Sequence, residues 1–219
     1  MQARWGAHGD YEIIVSSPWS VQECYEEAVR SFNLAERFRL PVMLLMDEAI
    51  GHLRENITVP GEVALVSRAA AIDQPPFGAS EVPPMPAFGK GGRLLVTGST
   101  HDEWGYRRTS SPEAQASLIE RLTGKVLNHL AEIERTHCHF CDEPELDILL
   151  IAYGFTARSA LGAVRQARDE GIKAGLLRLT TLWPFPAEAV RLGGRRGRVV
   201  LVPEMNRGQM LREVQREVP

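Results

Sequence analysis

Between Gly98 and Arg108 the chain reads GSTHDEWGYRR, gathering a histidine, two carboxylates, a tryptophan, a tyrosine and two arginines in eleven residues. Such a set could bind a metal, act as an electrostatic or acid–base cluster, or form a solvated loop. His101, Asp102 and Glu103 are adjacent, and adjacent side chains in extended backbone point to opposite faces, so the three do not converge readily on one ion. A charged solvated loop is the usual meaning of a charge run. Against it stand Trp104–Gly105 and an expected position just past a strand, where function concentrates in α/β domains.

Other segments carry weaker chemistry. HCHFC at His137–Cys141 holds a C-x-x-C flanked by histidines, but a structural zinc site needs a second ligand pair and none follows. The favoured reading is a polar interdomain linker without metal. YGFTAR at Tyr153–Arg158 could cradle an anion at a helix N-terminus, yet one glycine is no dinucleotide fingerprint, and a tight turn with Gly154 and Thr156 accounts for the same residues. In LTTLWPFP, Pro184 and Pro186 end a strand and set the next helix, with Trp183 and Phe185 as packing area. In PEMNRGQM, Asn206 and Gly208 suit a turn before a helix opened by Gln209.

The elements that must position these residues are legible from periodicity. YEIIVSSPWS reads as a strand and turn, with Ser20 as N-cap and Glu23 completing a capping box. Val21, Cys24, Tyr25, Ala28, Val29, Phe32 and Ala35 then recur at helical spacing. The apolar run Val42–Met46 predicts a buried strand of a parallel sheet, leaving Asp47 and Glu48 at its carboxyl end, where α/β sheets gather ligands. A proline- and glycine-rich connection fills Asn56–Gly92. RLLVTGST predicts a short strand leading into the opening motif, and a helix capped by Ser110 or Ser111 follows, with Leu118, Leu122, Val126, Leu130 and Ile133 on one face. Beyond it come a strand at Asp147–Ala152, a helix to about Glu170 ended by Gly171, and strands at KAGLLRL and RVVLVPE, the last preceded by a turn in RLGGRRGR.

Composition bounds the class. Of 219 residues, 44% are hydrophobic and 24% charged, as in soluble globular chains. A formal charge of −3 lacks the electrostatic footprint of a nucleic-acid binder. No stretch reaches the ~18 apolar residues of a membrane span, no signal peptide opens the chain, and three cysteines argue for a reducing compartment. A cytoplasmic location is expected. The abrupt first and last segments suggest a truncated chain.

Six segments, MQARWGAHGD, PVMLLMDEAIGHLRE, TGSTHDEWGY, AYGFTARSA, TLWPFP and EMNRGQM, resemble in kind and order the α subunits of 2-oxoacid:ferredoxin oxidoreductases, and the resemblance covers essentially the whole chain. It implies an α/β fold: the C-terminal part of a pyrimidine-binding domain for thiamine diphosphate over residues 1–142, then a transketolase C-terminal-like domain with a mainly parallel sheet over 143–219. The implied activity is oxidative decarboxylation of a 2-oxoacid, 2-oxoglutarate favoured, to an acyl-CoA with electrons passing to ferredoxin. Thiamine diphosphate does the organic chemistry.

The family's YPITPS-like segment, its aminopyrimidine-pairing glutamate and its carboxylate-receiving arginine are not in this sequence. The resemblance therefore implies a fragment, inactive alone, with thiamine diphosphate and Mg2+ held mainly by the β subunit and an iron–sulfur cluster in a partner subunit. The β subunit, γ and δ subunits, ferredoxin and CoA are the implied partners; no nucleic acid or membrane is. Asp102 is the expected electrostatic gate near the oxoacid carboxylate, supported by His101 and Glu103. Arg4 and His8 are expected in the same pocket, Asp47 and Glu48 at strand-end or subunit contacts, and Pro184, Phe185, Asn206 and Gln209 in structural or interface roles. The rival expectation is a non-catalytic α/β module that only binds a partner subunit; a stand-alone transketolase-like enzyme is disfavoured because no GDG…N diphosphate motif is present.

Overall fold

A computed structural model describes residues 2–78 and 80–218. In chain order come α1 (Gln2–Trp5), β1 (Ile14–Ser16), α2 (Val21–Phe38), β2 (Val42–Leu44) and α3 (Glu48–His52). A long stretch without helix or strand then leads to α4 (Pro112–Leu127), α5 (Leu130–Ile133) and β3 (Thr136–His139). The remainder alternates regularly: β4 (Leu146–Tyr153), α6 (Gly154–Asp169), β5 (Ala174–Leu179), β6 (Thr181–Trp183), α7 (Ala187–Gly194), β7 (Gly197–Leu201) and α8 (Gln209–Glu217).

The strands form two sheets, ordered β2-β1-β6 and β3-β5-β4-β7. β1 runs parallel to β2 and antiparallel to β6, while β4 pairs parallel with both β5 and β7 and β3 closes the other edge antiparallel. Thus β6, drawn from the second half, completes the sheet of the first, and the two halves are joined through backbone as well as side chains.

Strand alternation distributes the core. Ile14 faces α2, α4 and α5 and packs with Leu34, Phe38, Val126 and Ile133. Its neighbours Ile13 and Val15 face the other way, into a cluster with Leu149, Ile151, Leu177 and Leu179 of the second sheet. On that sheet's far side Ala152 and Leu176 meet Ala157, Ala160 and Val164 of α6, small side chains that let helix and sheet approach closely.

One buried cation fixes α2 against the second sheet. Arg178 sits in β5 with 2% of its surface exposed, engages both carboxylate oxygens of Glu23 in bidentate fashion, and lies 4.0 Å from the ring centroid of Trp19. Glu23 also accepts from the Trp19 amide at 3.1 Å, while Ser20 Oγ accepts from the Glu23 amide. Ser20 is therefore the N-cap as expected, but Glu23 does not close the box on the Ser20 amide: it reaches one residue further back, to Trp19, and also serves as the counterion of a strand residue.

Several expectations need correction. The run Val42–Met46 is strand only to Leu44, and Met43, Leu45 and Met46 are exposed rather than buried, because β2 is the edge of its sheet. RLLVTGST forms no strand: among the described residues no ladder accepts it, and only the isolated bridge His101–Arg107 appears there. The helix after Ser111 breaks at Asn128–His129 instead of continuing unbroken through Leu130 and Ile133. HCHFC is not a free linker, since Thr136–His139 is β3, paired residue for residue with Leu179–Leu176 of β5. Arg191–Gly194 continues α7, which leaves the turn to Arg195 and Arg196.

Candidate functional site

The loop at His101–Arg107 is built around Asp102. Its Oδ1 accepts from the amides of Trp104 and Tyr106, each at 3.0 Å, while its backbone N–H donates to the Tyr106 carbonyl and its carbonyl accepts from Gly105. This is the Asx geometry by which a short carboxylate folds its own turn. Gly105 makes the turn possible: its φ is +88°, and a Cβ there would strike the Leu95 carbonyl oxygen. Oδ2 of Asp102 lies 3.2 Å from Arg108. The carboxylate is therefore engaged in shaping the loop, and Trp104 and Tyr106 project from it exposed.

His101 anchors the loop inward. Its Nδ1 is 2.8 Å from the Ser99 carbonyl oxygen, which can only accept, so Nδ1 carries the hydrogen. Nε2 is buried without a hydrogen-bond partner, and the ring meets Phe77 edge-on at 4.9 Å. Glu103 is exposed; its backbone carbonyl accepts from Phe77, and its Cβ crowds Gly78.

Asp47 works between the two halves. It precedes α3 at the end of β2, and its Oδ2 accepts from the Phe155 amide at 2.6 Å. Gly154 has a φ of +54°, and a Cβ there would collide with that same carboxylate oxygen and with Ser17 Oγ. The first turn of α6, considered above as an anion cradle, already holds an anion supplied by the chain itself. Glu48 is exposed, 3.9 Å from His52.

Near the same strand ends Asn206 donates to the Tyr153 hydroxyl at 3.0 Å and accepts from the Gln209 amide at 2.9 Å. Glu204 accepts from the Met210 and Leu211 amides, capping α8. Burial, with the carboxylates of Glu204 and Asp47 adding to it, holds the Tyr153 phenol above its ordinary range. Arg4 donates to the Tyr11 carbonyl and pairs with Glu12 at 3.3 Å, its guanidinium 4.4 Å from the centroid of Trp183. Arg4, Tyr153, Trp183 and Gln209 border one cavity of about 350 Å3.

His8 and His101 border a different cavity, of about 480 Å3, between the long loop and α4. The expected residues thus fall into two groups: His8 with the Asp102 loop, and Arg4 with Asn206, Gln209 and the Asp47 junction. Arg39, Arg121 and Lys125 also line the larger cavity. They escaped the reading of the sequence, although Arg121 and Lys125 stand four apart on α4 beside Leu118 and Leu122, where an outward charged face is not expected. Burial pulls Lys125 down to about 8 and Arg39 down to about 10, with like-charge repulsion adding to both, and burial also lowers Arg121.

Cys138 and Cys141 are free. A hydrogen bond from the Cys141 thiol lowers Cys138 to about 7, and the same bond, with burial, raises Cys141. Among the described residues no three His, Cys, Asp or Glu side chains gather as a metal site, and no helix is long and apolar enough to cross a membrane.

Comparison with known proteins accords with this geometry. Residues 1–121 match the pyruvate flavodoxin/ferredoxin oxidoreductase thiamine diphosphate-binding family, and residues 146–219 match core domain II of pyruvate:ferredoxin oxidoreductase. The chain is 49% identical over 99% of its length to the 2-oxoglutarate synthase subunit KorA of Methanothermobacter thermautotrophicus, of which it spans 58%. It is 38% identical to the KorA subunit of Methanocaldococcus jannaschii, again over 99% of this chain and 58% of that one. The 2-oxoglutarate:ferredoxin oxidoreductase of Magnetococcus marinus, solved with 2-oxoglutarate, coenzyme A and succinyl-CoA bound, superposes with a TM-score of 0.86 at 26% identity, over 99% of this chain and 39% of that one. The two domains joined through β6 and the Asp47–α6 contact are therefore those of a known enzyme group, and the chain belongs to the pyruvate flavodoxin/ferredoxin oxidoreductase thiamine diphosphate-binding family.

Proposed function

We propose that the chain is part of the α subunit of a 2-oxoacid:ferredoxin oxidoreductase, with 2-oxoglutarate the favoured substrate. The observation that carries this reading is the likeness to KorA subunits along 99% of the chain, through both domains. In the reaction the bond between the carboxylate and the keto carbon breaks, CO2 leaves, the acyl carbon forms a thioester with CoA, a proton is released, and an electron pair passes singly to ferredoxin.

Thiamine diphosphate supplies the electron sink of such a reaction. The described residues offer no cluster of three or more ionisable ligands that would fit its magnesium. As the family resemblance implies, thiamine diphosphate and Mg2+ are held mainly by the β subunit and the iron–sulfur cluster by a partner subunit, with γ and δ subunits, CoA and ferredoxin completing the complex in the cytoplasm. This chain's own contribution is positional. Asp47 locks the strand-end face of the first half to α6, and the Asp102 loop forms a wall of the oxoacid pocket. Because its carboxylate folds the turn that carries Trp104 and Tyr106, Asp102 is a positioning residue, with His101 fixing the inward side and Glu103 the outward one.

Assembling the full-length subunit with its β subunit, thiamine diphosphate, Mg2+ and CoA should give 2-oxoglutarate-dependent reduction of a viologen dye. A complete complex that binds its partners yet stays inactive on every 2-oxoacid would overturn the proposal in favour of a non-catalytic partner-binding module.

A further inference from the structure

The cavity between the long loop and α4 combines features that the positional role of this chain does not use. Arg39 Nη1 donates to the carbonyls of Pro76 and Pro83, and Lys125 Nζ donates to the Arg39 carbonyl at 2.9 Å. Neutral carbonyls satisfy the N–H groups without cancelling their charge. No hydrogen bond or ion pair among the described residues engages the Arg121 guanidinium, and none of the three cations has a carboxylate partner within ion-pair distance. Instead they repel one another, Arg121 acting on both Lys125 and Arg39.

Two carboxylates border the space, but Glu81 is taken by Asn128 and by His129 at 3.0 Å, and Asp10 is exposed. The buried Nε2 of His101, an unsatisfied acceptor, belongs to the same wall. Desolvating like charges together is costly unless an opposite charge joins them. A volume of about 480 Å3 admits a metabolite-sized group.

From these unpaired cations around an open cavity, we infer that the pocket binds a small, multiply charged oxyanion, either a polycarboxylate or a phosphoryl compound. Its negative oxygens take the place of the missing counterions, and an oxyanion that retains a proton can donate it to His101 Nε2.

The test is thermal unfolding of the full-length protein titrated with citrate, with pyrophosphate, and with sodium chloride at matched ionic strength. Saturable stabilisation by one or both polyanions, absent with chloride, is expected; the anion that saturates at the lower concentration identifies the carboxylate or phosphoryl source. Arg121→Gln should weaken that anion at least tenfold. Gln115→Glu, which removes no contact of the cations and brings a carboxylate to the wall, should weaken it severalfold and serves if Arg121→Gln fails to fold. Polyanion stabilisation that rises without saturation, that chloride matches, or that is equal in wild type and both variants would reflect general exclusion from the surface and would overturn the inference.

Discussion

Arg178 and Lys125 are both nearly inaccessible, with 2% and 5% of their surfaces exposed, yet their charges are treated in opposite ways. Arg178 has a bidentate carboxylate in Glu23 and an aromatic face in Trp19. Lys125 has a backbone carbonyl and two repelling arginines. The first arrangement closes a charge account within the fold and pins α2 to β5. The second leaves net positive charge beside a cavity, which a fold under selection for stability alone would have removed. The contrast separates a cation that holds the structure from cations that hold something else.

Breaking the paired cation should have the largest effect at neutral pH. Arg178→Met leaves the Glu23 carboxylate, 18% exposed and still bonded to the Trp19 amide, without its counterion and should cost about 2–3 kcal/mol in urea unfolding. Arg178→Met combined with Glu23→Gln should recover a large part of that loss, since no unpaired charge remains. If the single and double variants are equally unstable, the destabilisation comes from lost packing on Trp19 and not from charge.

Lys125 provides the next test, through pH. In the unfolded chain the amine keeps a pKa of 10.5, and in the folded chain it is pulled to about 8 by burial, with Arg121 and Arg39 adding. Below pH 8 both states carry the proton, and the cost of burying the charge is felt in full. Between the two values the folded state releases its proton while the unfolded state retains it, so stability climbs with pH. The gain should approach an order of 3 kcal/mol above pH 10.5. Comparing the pH profile with that of Lys125→Met isolates the contribution, because the variant lacks the rise. Saturating polyanion should also suppress it, since an anion in the pocket returns the amine toward its ordinary value.

Asp47 sits between these extremes: a carboxylate paired with a helix terminus. Asp47→Asn retains an acceptor for the Phe155 amide but loses the charge, and should cost about 0.5–1 kcal/mol; Asp47→Ala should cost about 1–2 kcal/mol. Gly154→Ala forces a Cβ at a φ of +54° against that carboxylate and should be at least as damaging as Asp47→Ala. A Gly154→Ala protein as stable as wild type would show that the junction is loose.

The two halves differed in how far their residues announced this. In the second half the apolar run of β4, the amphipathic α6 and Gly171 with its φ of +85° are local signals, and the elements formed where those signals stood. RLLVTGST carries equally apolar residues, but a strand needs a partner, and none of the described strands reaches it. HCHFC reads as polar, yet it became β3 because β5 offered an edge. The Asp102 loop was visible as a crowded motif, and its Asx geometry follows from local spacing. The Asp47–Phe155 contact joins residues 108 apart in sequence, and Arg30 of α2 reaches the Ile133 carbonyl across 103; neither distance leaves a periodic trace. Arg121 and Lys125 left the one usable clue, charges on a helix face that otherwise turns inward.

Asp102 gives the smallest effect on stability and the sharpest reading of function. Its partner Arg108 is 59% exposed, so the ion pair contributes under about 1 kcal/mol. Asp102→Asn keeps an oxygen for the Trp104 and Tyr106 amides, and the fold should be almost unchanged. On the proposed placement of the loop beside the oxoacid, in the assembled enzyme it should lower KM for the anionic 2-oxoacid severalfold with little change in kcat, because a negative charge that repels the substrate's carboxylates is lost while the loop keeps its shape. Asp102→Ala releases both amides and should lower kcat as well. A role confined to the loop's own stability would instead move both parameters together in each variant, in proportion to the fall in unfolding temperature. The pair of substitutions thus asks of Asp102 what Arg178 and Lys125 ask of each other: whether a charge is held for the sake of the fold or for what approaches it.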